Sequence, residues 1–198
     1  MDELVLQRLV LPGGELRLLQ PKDGADIPDD GPIEWAPIAP YWSVLWRSGQ
    51  ALAGELPADL TGKCVIELGC GLGLPSMVAA RGGAEVLATD QHEEALELLE
   101  RNARENGVRV ERVRVDWSDP GELVERGPFD LVLAADVLYE RASVALLLDL
   151  LPRLGGEVWL ADPGRPGGRP FLEQVRARWG VTSTVRGVVE IHRFEPGA

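Results

Sequence analysis

Glu67, Gly69, Gly71 and Gly73 stand at alternate positions in Glu67-Leu68-Gly69-Cys70-Gly71-Leu72-Gly73, at the end of a short apolar run over 64–68. Glycines at this spacing let a ligand approach the main chain, and a helix beginning near Leu74 adds free N–H groups. Asp90 ends the next apolar run, about 20 residues after Gly69, where a carboxylate can accept both hydroxyls of a ribose. A dinucleotide fingerprint asks for Gly or Ala at position 74, which here is Leu74. The acid at 67 is also a poor neighbour for a pyrophosphate and suits a cofactor that carries positive charge. With no ligand, the same glycines would make a tight turn and Glu67 would be a solvated acid at a strand end.

Further along, Asp116-Trp117 places an acid beside an aromatic face able to stack on a flat ring. Ala135-Asp136-Val137-Leu138-Tyr139 closes a near-continuous apolar run with a carboxyl and a phenol three residues apart. The bland readings are a helix cap for Asp136 near residue 141 and a packing ring for Tyr139.

These residues need a frame. Residues 4–20 alternate apolar and polar around Pro12-Gly13-Gly14, which predicts a hairpin over 4–11 and 15–19. Residues 21–40 hold prolines and aspartates and read as a long loop. Helical spacing runs over 43–56, with Trp42 and Trp46 one turn apart. Short apolar strands follow at 64–68, 85–89, 110–115, 129–135 and 157–161. Helices are predicted at 74–81, at 95–103 with a stop at Gly107, at 141–151, and from Pro170 to Trp179. Residues 181–185 and 188–194 form a closing hairpin. Strand–helix alternation of this kind implies a mostly parallel seven-stranded sheet with helices on both faces and a C-terminal antiparallel hairpin. His92 reads as an exposed residue at a helix start.

With 198 residues, 45% of them hydrophobic, the chain suits one domain over 1–198, with the hairpin and loop at 1–40 ahead of a core at 41–198. Thirty-two acidic residues against 20 basic ones give a net charge of −12, which repels phosphate backbones and attracts cationic partners. If the residues between Cys64 and Cys70 are extended, the two lie roughly 20 Å apart, too far for a disulfide. Two histidines and no Cys-x-x-Cys pair argue against a structural zinc, so no metal is expected. No apolar stretch is long enough to span a membrane, and Met1-Asp2-Glu3 lacks a leader profile, so a cytoplasmic location is expected.

An acid followed by GxGxG resembles motif I of the Rossmann-like S-adenosylmethionine methyltransferases. Enzymes of that group that methylate the amino group of adenine or glutamine carry an Asn/Asp-Pro-Pro-Tyr/Phe motif after the fourth strand. Asp136-Val137-Leu138-Tyr139 lacks the prolines and instead resembles the seven-β-strand protein-lysine methyltransferases, methyltransferase family 16. Pro40-Tyr41-Trp42-Ser43-Val44-Leu45-Trp46-Arg47-Ser48-Gly49-Gln50-Ala51-Leu52 and Asp162-Pro163-Gly164-Arg165-Pro166 are similar to the branch of that family acting on the electron transfer flavoprotein β subunit. These segments span 40–166, about two-thirds of the chain.

The resemblance implies a Rossmann-like methyltransferase fold and S-adenosylmethionine as cofactor. By position, Trp46 would line the cofactor pocket, Glu67 would face its positive charges, and Gly69, Gly71 and Gly73 would pass beneath its methionine portion. Asp90 would hold the ribose, Asp116 and Trp117 would meet the adenine, and Ala135 would border the cofactor. Asp136 and Tyr139 would face the acceptor amine, and the implied partner is a protein substrate such as the electron transfer flavoprotein β subunit. The early hairpin and residues 22–34 match no motif of the family. Two other readings stay open: a small-molecule N-methyltransferase, and a non-catalytic cofactor-binding protein. A nucleic-acid acceptor comes last, because of the charge and the missing prolines. An ionised Asp136 would favour an ammonium on the acceptor, whereas a nearby sulfonium would favour the neutral amine.

Overall fold

The computed structural model describes residues 3–25 and 40–196. It begins with an antiparallel hairpin, β1 (Leu4–Leu11) and β2 (Gly14–Pro21), followed by one turn of helix, α1 (Lys22–Ala25). Most of the loop expected over 21–40 lies outside the described residues. A 3₁₀ turn at Tyr41–Ser43 leads to α2 (Arg47–Glu55). Next come β3 (Cys64–Leu68), α3 (Leu74–Arg81), β4 (Glu85–Asp90), α4 (Glu93–Glu105) and β5 (Glu111–Arg114). Then follow α5 (Gly121–Arg126), β6 (Leu131–Ala135), α6 (Arg141–Leu154), β7 (Glu157–Asp162), α7 (Gly168–Arg176), β8 (Thr182–Arg186) and β9 (Val189–Phe194).

The seven-stranded sheet has the order β5-β4-β3-β6-β7-β9-β8. It is parallel from β5 to β7, while β9 runs antiparallel to both of its neighbours. The expected mostly parallel sheet with a C-terminal hairpin is therefore what forms. Apart from Glu67, its central strands β3 and β6 are apolar because both of their faces are covered. In β6, Leu131 and Leu133 enter one core layer, and Val132 and Ala134 enter the other. β3 divides in the same way, with Val65 on one side and Ile66 and Leu68 on the other.

α4 carries Glu93 and Glu94 in its first turn, where the helix dipole favours acids, and buries Leu96, Leu99 and Ala103. Its Asn102 and Asn106 receive the hairpin. Leu19 N–H donates to Asn102 Oδ1 at 2.7 Å, and Asn102 Nδ2 donates to Leu19 O at 3.1 Å. Arg17 N–H donates to Asn106 Oδ1 at 2.9 Å, and Asn106 Nδ2 returns a bond of 2.6 Å to Arg17 O. Leu16 and Leu18 point inward and are fully buried in the same core layer as Leu96.

Two expected elements differ, and one forms that the sequence does not predict. The helix predicted over 43–56 starts only at Arg47, because Val44 and Trp46 are extended, at ψ 135 and 143. Side-chain bonds replace the helical ones here: Gln20 Nε2 donates to Ser43 O at 3.0 Å and Trp46 Nε1 to Tyr41 O at 3.0 Å. Trp42 and Trp46 thus do not share a helix. α5 was not expected, and of its six residues only Leu123 is buried. α7 ends before Trp179, whose ring stacks on Phe194 with centroids 6.0 Å apart. Cys64 is exposed and Cys70 is buried in the loop after β3. Among the described residues, no helix is long and apolar enough to cross a membrane, and no group of three or more His, Cys, Asp or Glu is placed to hold a metal.

Candidate active site

β3 lies between β4 and β6, so the strand succession reverses direction at its edge with β6. Crevices form at such switch points, beyond the carboxyl ends of the strands. A cleft of about 850 Å³ opens there. It is lined by every residue singled out for chemistry in the sequence: Trp46, Glu67, Gly69, Gly71, Gly73, Asp90, Asp116, Trp117, Ala135, Asp136 and Tyr139.

The glycine loop is shaped by the chain itself. Gly69, Gly71 and Gly73 all have left-handed backbones, with φ of 63, 50 and 72. A Cβ on Gly71 would lie 2.9 Å from Trp42 O, and one on Gly73 would lie 2.1 Å from Leu99 Cδ1. The loop is held by Cys70 N–H on Thr89 O at 2.9 Å, Gly73 N–H on Cys70 O at 2.7 Å, and Gly71 N–H on Asp90 Oδ2 at 2.9 Å. The other oxygen of Asp90 accepts His92 N–H at 3.0 Å. One carboxylate thus fixes both the glycine loop and the start of α4. Burial raises the Asp90 pKa, and these backbone donors oppose the rise.

Glu67 is not the solvated strand-end acid of the bland reading. It is 2% exposed and accepts Ser76 N–H at 2.8 Å together with the Ser76 hydroxyl. Burial pushes its pKa up to about 8, the Ser76 bonds pull the other way, and the nearby Asp90 adds to the rise. In the unliganded protein it is therefore mostly neutral at pH 7.

At one end of the cleft Asp116 is exposed and accepts the backbone N–H and hydroxyl of Ser118, at 2.8 and 2.7 Å, which lowers its pKa. Trp117 is half-buried, packs on the core layer of β6, and sets its ring beside Gly69. His92 is exposed and lines the cleft close to Asp90.

At the other end stands Asp136, buried and left-handed with φ 61. Asp tolerates that conformation better than most residues. Its N–H donates to Ala161 O at 2.9 Å, which ties the end of β6 to β7. Both of its oxygens are engaged: Ser48 Oγ donates to Oδ2 at 2.9 Å, and Arg165 Nε donates to Oδ1. The side chains of this ion pair are 9% and 5% exposed. The cap reading fails, because α6 begins after Glu140 with no side-chain cap. Arg165 also lies over the Trp46 ring, 5.1 Å from its centroid. Tyr41 bridges the aromatic wall, with its ring 6.4 Å from Trp46 and 6.3 Å from Tyr139. Burial raises the pKa of the half-buried Tyr139, as do Glu140, Asp90 and Tyr41.

Sequence reasoning passed over Ser48, Tyr41 and the side chain of Arg165. The signal was in the quoted segments, since Ser48 and Tyr41 flank Trp46 and Arg165 sits in Asp162-Pro163-Gly164-Arg165-Pro166. That loop is built around Asp162, whose Oδ2 accepts the N–H groups of Gly164 and Arg165 at 2.9 and 3.0 Å. Burial pushes the Asp162 pKa up to about 6, those donors resist the rise, and Asp136 adds to it.

Comparison with known proteins bears on this geometry. A family model described as lysine methyltransferase matches residues 39–158. The chain is 35% identical over 159 residues to the electron transfer flavoprotein beta subunit lysine methyltransferase of Xenopus laevis, a match covering 76% of this chain and 62% of that protein. It is 40% identical over 120 residues to protein N-lysine methyltransferase METTL21A of Danio rerio, covering 57% of this chain and 55% of the relative. The chain thus spans about three-fifths of the length of these curated relatives. Among solved structures, the ribosomal RNA methyltransferase RsmC of T. thermophilus, in complex with AdoMet and guanosine, aligns with a TM-score of 0.67 at 18% identity, covering 98% of this chain and 51% of that one. At that identity the likeness speaks to the fold.

Proposed function

The chain belongs to the lysine methyltransferase family, and on that premise we propose that it transfers a methyl group from S-adenosylmethionine to the ε-amine of a lysine on a partner protein. The observation that carries this reading is one cleft joining two sets of groups. The glycine loop, Asp90 and Asp116-Trp117 occupy one part, and Asp136, Tyr139 and the aromatic wall occupy the other.

The residues fit the cofactor. A cavity of about 850 Å³ takes a nucleoside with its amino-acid tail. Its lining carries five carboxyls, Glu67, Asp90, Asp116, Asp136 and Glu140, against two guanidiniums, Arg47 and Arg165, which suits a ligand with an ammonium and a sulfonium. Asp90 keeps a free lone pair on each oxygen for the ribose hydroxyls. Trp117 offers a ring to the adenine, Asp116 an acceptor for its amino group, and Glu67 a carboxyl for the ammonium. Bound S-adenosylmethionine would supply an electrophilic methyl carbon, with the C–S electrons staying on sulfur.

What the chain adds is positioning. Asp136, held by Ser48 and Arg165, directs its remaining lone pairs to the acceptor N–H groups. Tyr41, Trp46 and Tyr139 wall the approach and exclude water from an amine reaching in on its aliphatic stem. The electron transfer flavoprotein β subunit is the first candidate partner, on the strength of the relative named for it, and the net charge of −12 suits a cationic target. A cytoplasmic site of action goes with this reading and is checked by fractionating cells.

The test is transfer of labelled methyl groups to purified electron transfer flavoprotein and to a lysate split into protein, nucleic-acid and small-molecule fractions. Label on lysine of the β subunit supports the whole reading. Label on lysine of another protein keeps the class and discards that partner. Label only outside protein overturns it.

A further inference from the structure

We propose that Arg165 is a positioning residue that cancels the charge of Asp136 toward the acceptor, so that the lysine can lose its proton while still being oriented; this rests on the lysine reading above. The difficulty it resolves is physical. A lysine ammonium has a pKa of about 10.4, and a bare carboxylate beside it would raise that value and hold the nitrogen without a lone pair.

The structure does not present a bare carboxylate. Arg165 Nε lies on Asp136 Oδ1, and both side chains are at least nine-tenths buried. Ser48 Oγ takes the other oxygen at 2.9 Å. The guanidinium lies over the Trp46 ring, 5.1 Å from its carbon to the ring centroid, and the Arg165 main chain is anchored by its backbone N–H on Asp162 Oδ2 at 3.0 Å. A carboxylate in contact with a guanidinium still accepts hydrogen bonds, but the pair has no net charge with which to favour an ammonium. Orientation and charge are thereby separated: Asp136 aims the nitrogen, and Arg165 removes the penalty on its deprotonation. The proton leaves to water.

Other titratable groups face this pair from each neighbouring element. Asp162 at the end of β7 senses both partners, and Arg47 lines the cleft from α2. Tyr139 and Glu140 stand on the loop after β6, and Tyr41 on the 3₁₀ turn. Asp90 also acts on Tyr139, and Glu67 lines the same cleft. All of these are unchanged in the variants below, so they move every profile together.

The experiment compares kcat at saturating protein substrate against pH, from about 7 to about 10, since kcat reports ionisations in the bound complex, for wild type, Arg165→Lys, Arg165→Gln and the double variant Arg165→Gln with Asp136→Asn. All four act on the same protein substrate, and S-adenosylmethionine affinity is measured alongside by calorimetry. Loss of the guanidinium should move the rising limb of Arg165→Gln up by about one pH unit or more, with most of the activity recovered at the alkaline end. Arg165→Lys should keep the wild-type limb, and the double variant should return toward it. Cofactor affinity should stay within about threefold, a change of well under 1 kcal/mol.

An equal loss at every pH in Arg165→Gln would mean packing alone and overturn the proposal, as would an unshifted limb. If Arg165→Gln does not fold, the double variant decides, because a limb displaced there without the carboxylate cannot arise from Asp136. Wild-type enzyme that binds cofactor and labels no protein lysine removes the lysine reading itself, and the role of Arg165 with it.

Discussion

Asp90 Oδ2 accepts the backbone N–H of Gly71 at 2.9 Å, so the tip of β4 holds the turn that follows β3. The same carboxylate accepts His92 N–H through Oδ1. The ribose-binding candidate is thus also a brace between two loops, and it acts before any ligand arrives. Asp90→Asn turns one acceptor into a donor that faces an N–H. The unliganded protein should lose about 1–3 kcal/mol in urea unfolding, and S-adenosylmethionine affinity should fall at least tenfold by calorimetry, a change of about 1.4 kcal/mol. A variant that lost affinity with unchanged stability would mean that the brace is slack.

Gly71→Ala forces a side chain onto a left-handed backbone and against Trp42 O. The expected cost is about 1–2 kcal/mol from the conformation alone, and more from the contact. Thermal unfolding checks the stability, and loss of cofactor-induced protection checks the site. An unchanged melting temperature would show that the loop can take another path.

Glu67 sets a pH dependence. A carboxyl whose folded pKa is about 8, against an ordinary 4.5, binds its proton more tightly in the folded protein. Its effect on stability is therefore most favourable at low pH and declines as pH rises through that window. The unliganded wild type should lose stability between those two values, and Glu67→Gln should flatten the decline. Cofactor binding should behave oppositely, because an ammonium favours the ionised acid: affinity should improve with rising pH up to about 8 in wild type and stay level in Glu67→Gln. Denaturation and calorimetry across pH read both, and parallel curves for the two proteins would refute the assignment.

Trp117→Ala removes the ring beside Gly69. An aromatic pair contributes about 0.5–1.5 kcal/mol beyond area, so the affinity for S-adenosylmethionine should weaken by about threefold to tenfold, with kcat at saturation nearly kept. Quenching of tryptophan fluorescence on cofactor addition should also shrink. A fall in kcat without a change in affinity would place Trp117 elsewhere in the reaction.

Asp136→Ala strands the Arg165 charge and empties the bond of Ser48. Breaking a buried pair from one side costs about 3–5 kcal/mol, so a marked drop in the urea midpoint is expected along with loss of transfer. Cofactor affinity should be affected least of the three. Full activity would refute any part for Asp136 at the acceptor.

Much of this was legible in residue order, for physical reasons. β3 and β6 are covered on both faces, so their apolar runs stand out, and α3 is closed by a left-handed glycine before it and a glycine after it. The cofactor-side residues could be read because each acts through its own type at a fixed offset from a strand end. Residues 43–46 were misread because their apolar spacing serves the core and the cleft wall, while side-chain bonds replace the helical ladder. α5 was missed because one buried leucine makes no period. Ser48 and Arg165 lie in segments that the sequence singles out, but their meeting with Asp136 is not legible there, because the three come from distant segments and Asp136 reaches them from a left-handed turn.

Asn102 and Asn106 have a consequence for how the hairpin can vary. Four residues of helix rise about 6 Å, close to the advance of two residues along a strand, about 6.7 Å. The two amides therefore fall in step with Arg17 and Leu19 and occupy the edge where a third strand would pair. They work as an index: β2 seats at one position only, since a slip of one residue would bring up residues whose N–H and C=O groups point the other way, toward β1. Changes in the length of the Pro12-Gly13 turn should then be absorbed by β1 sliding along β2, leaving Leu16 and Leu18 in the core.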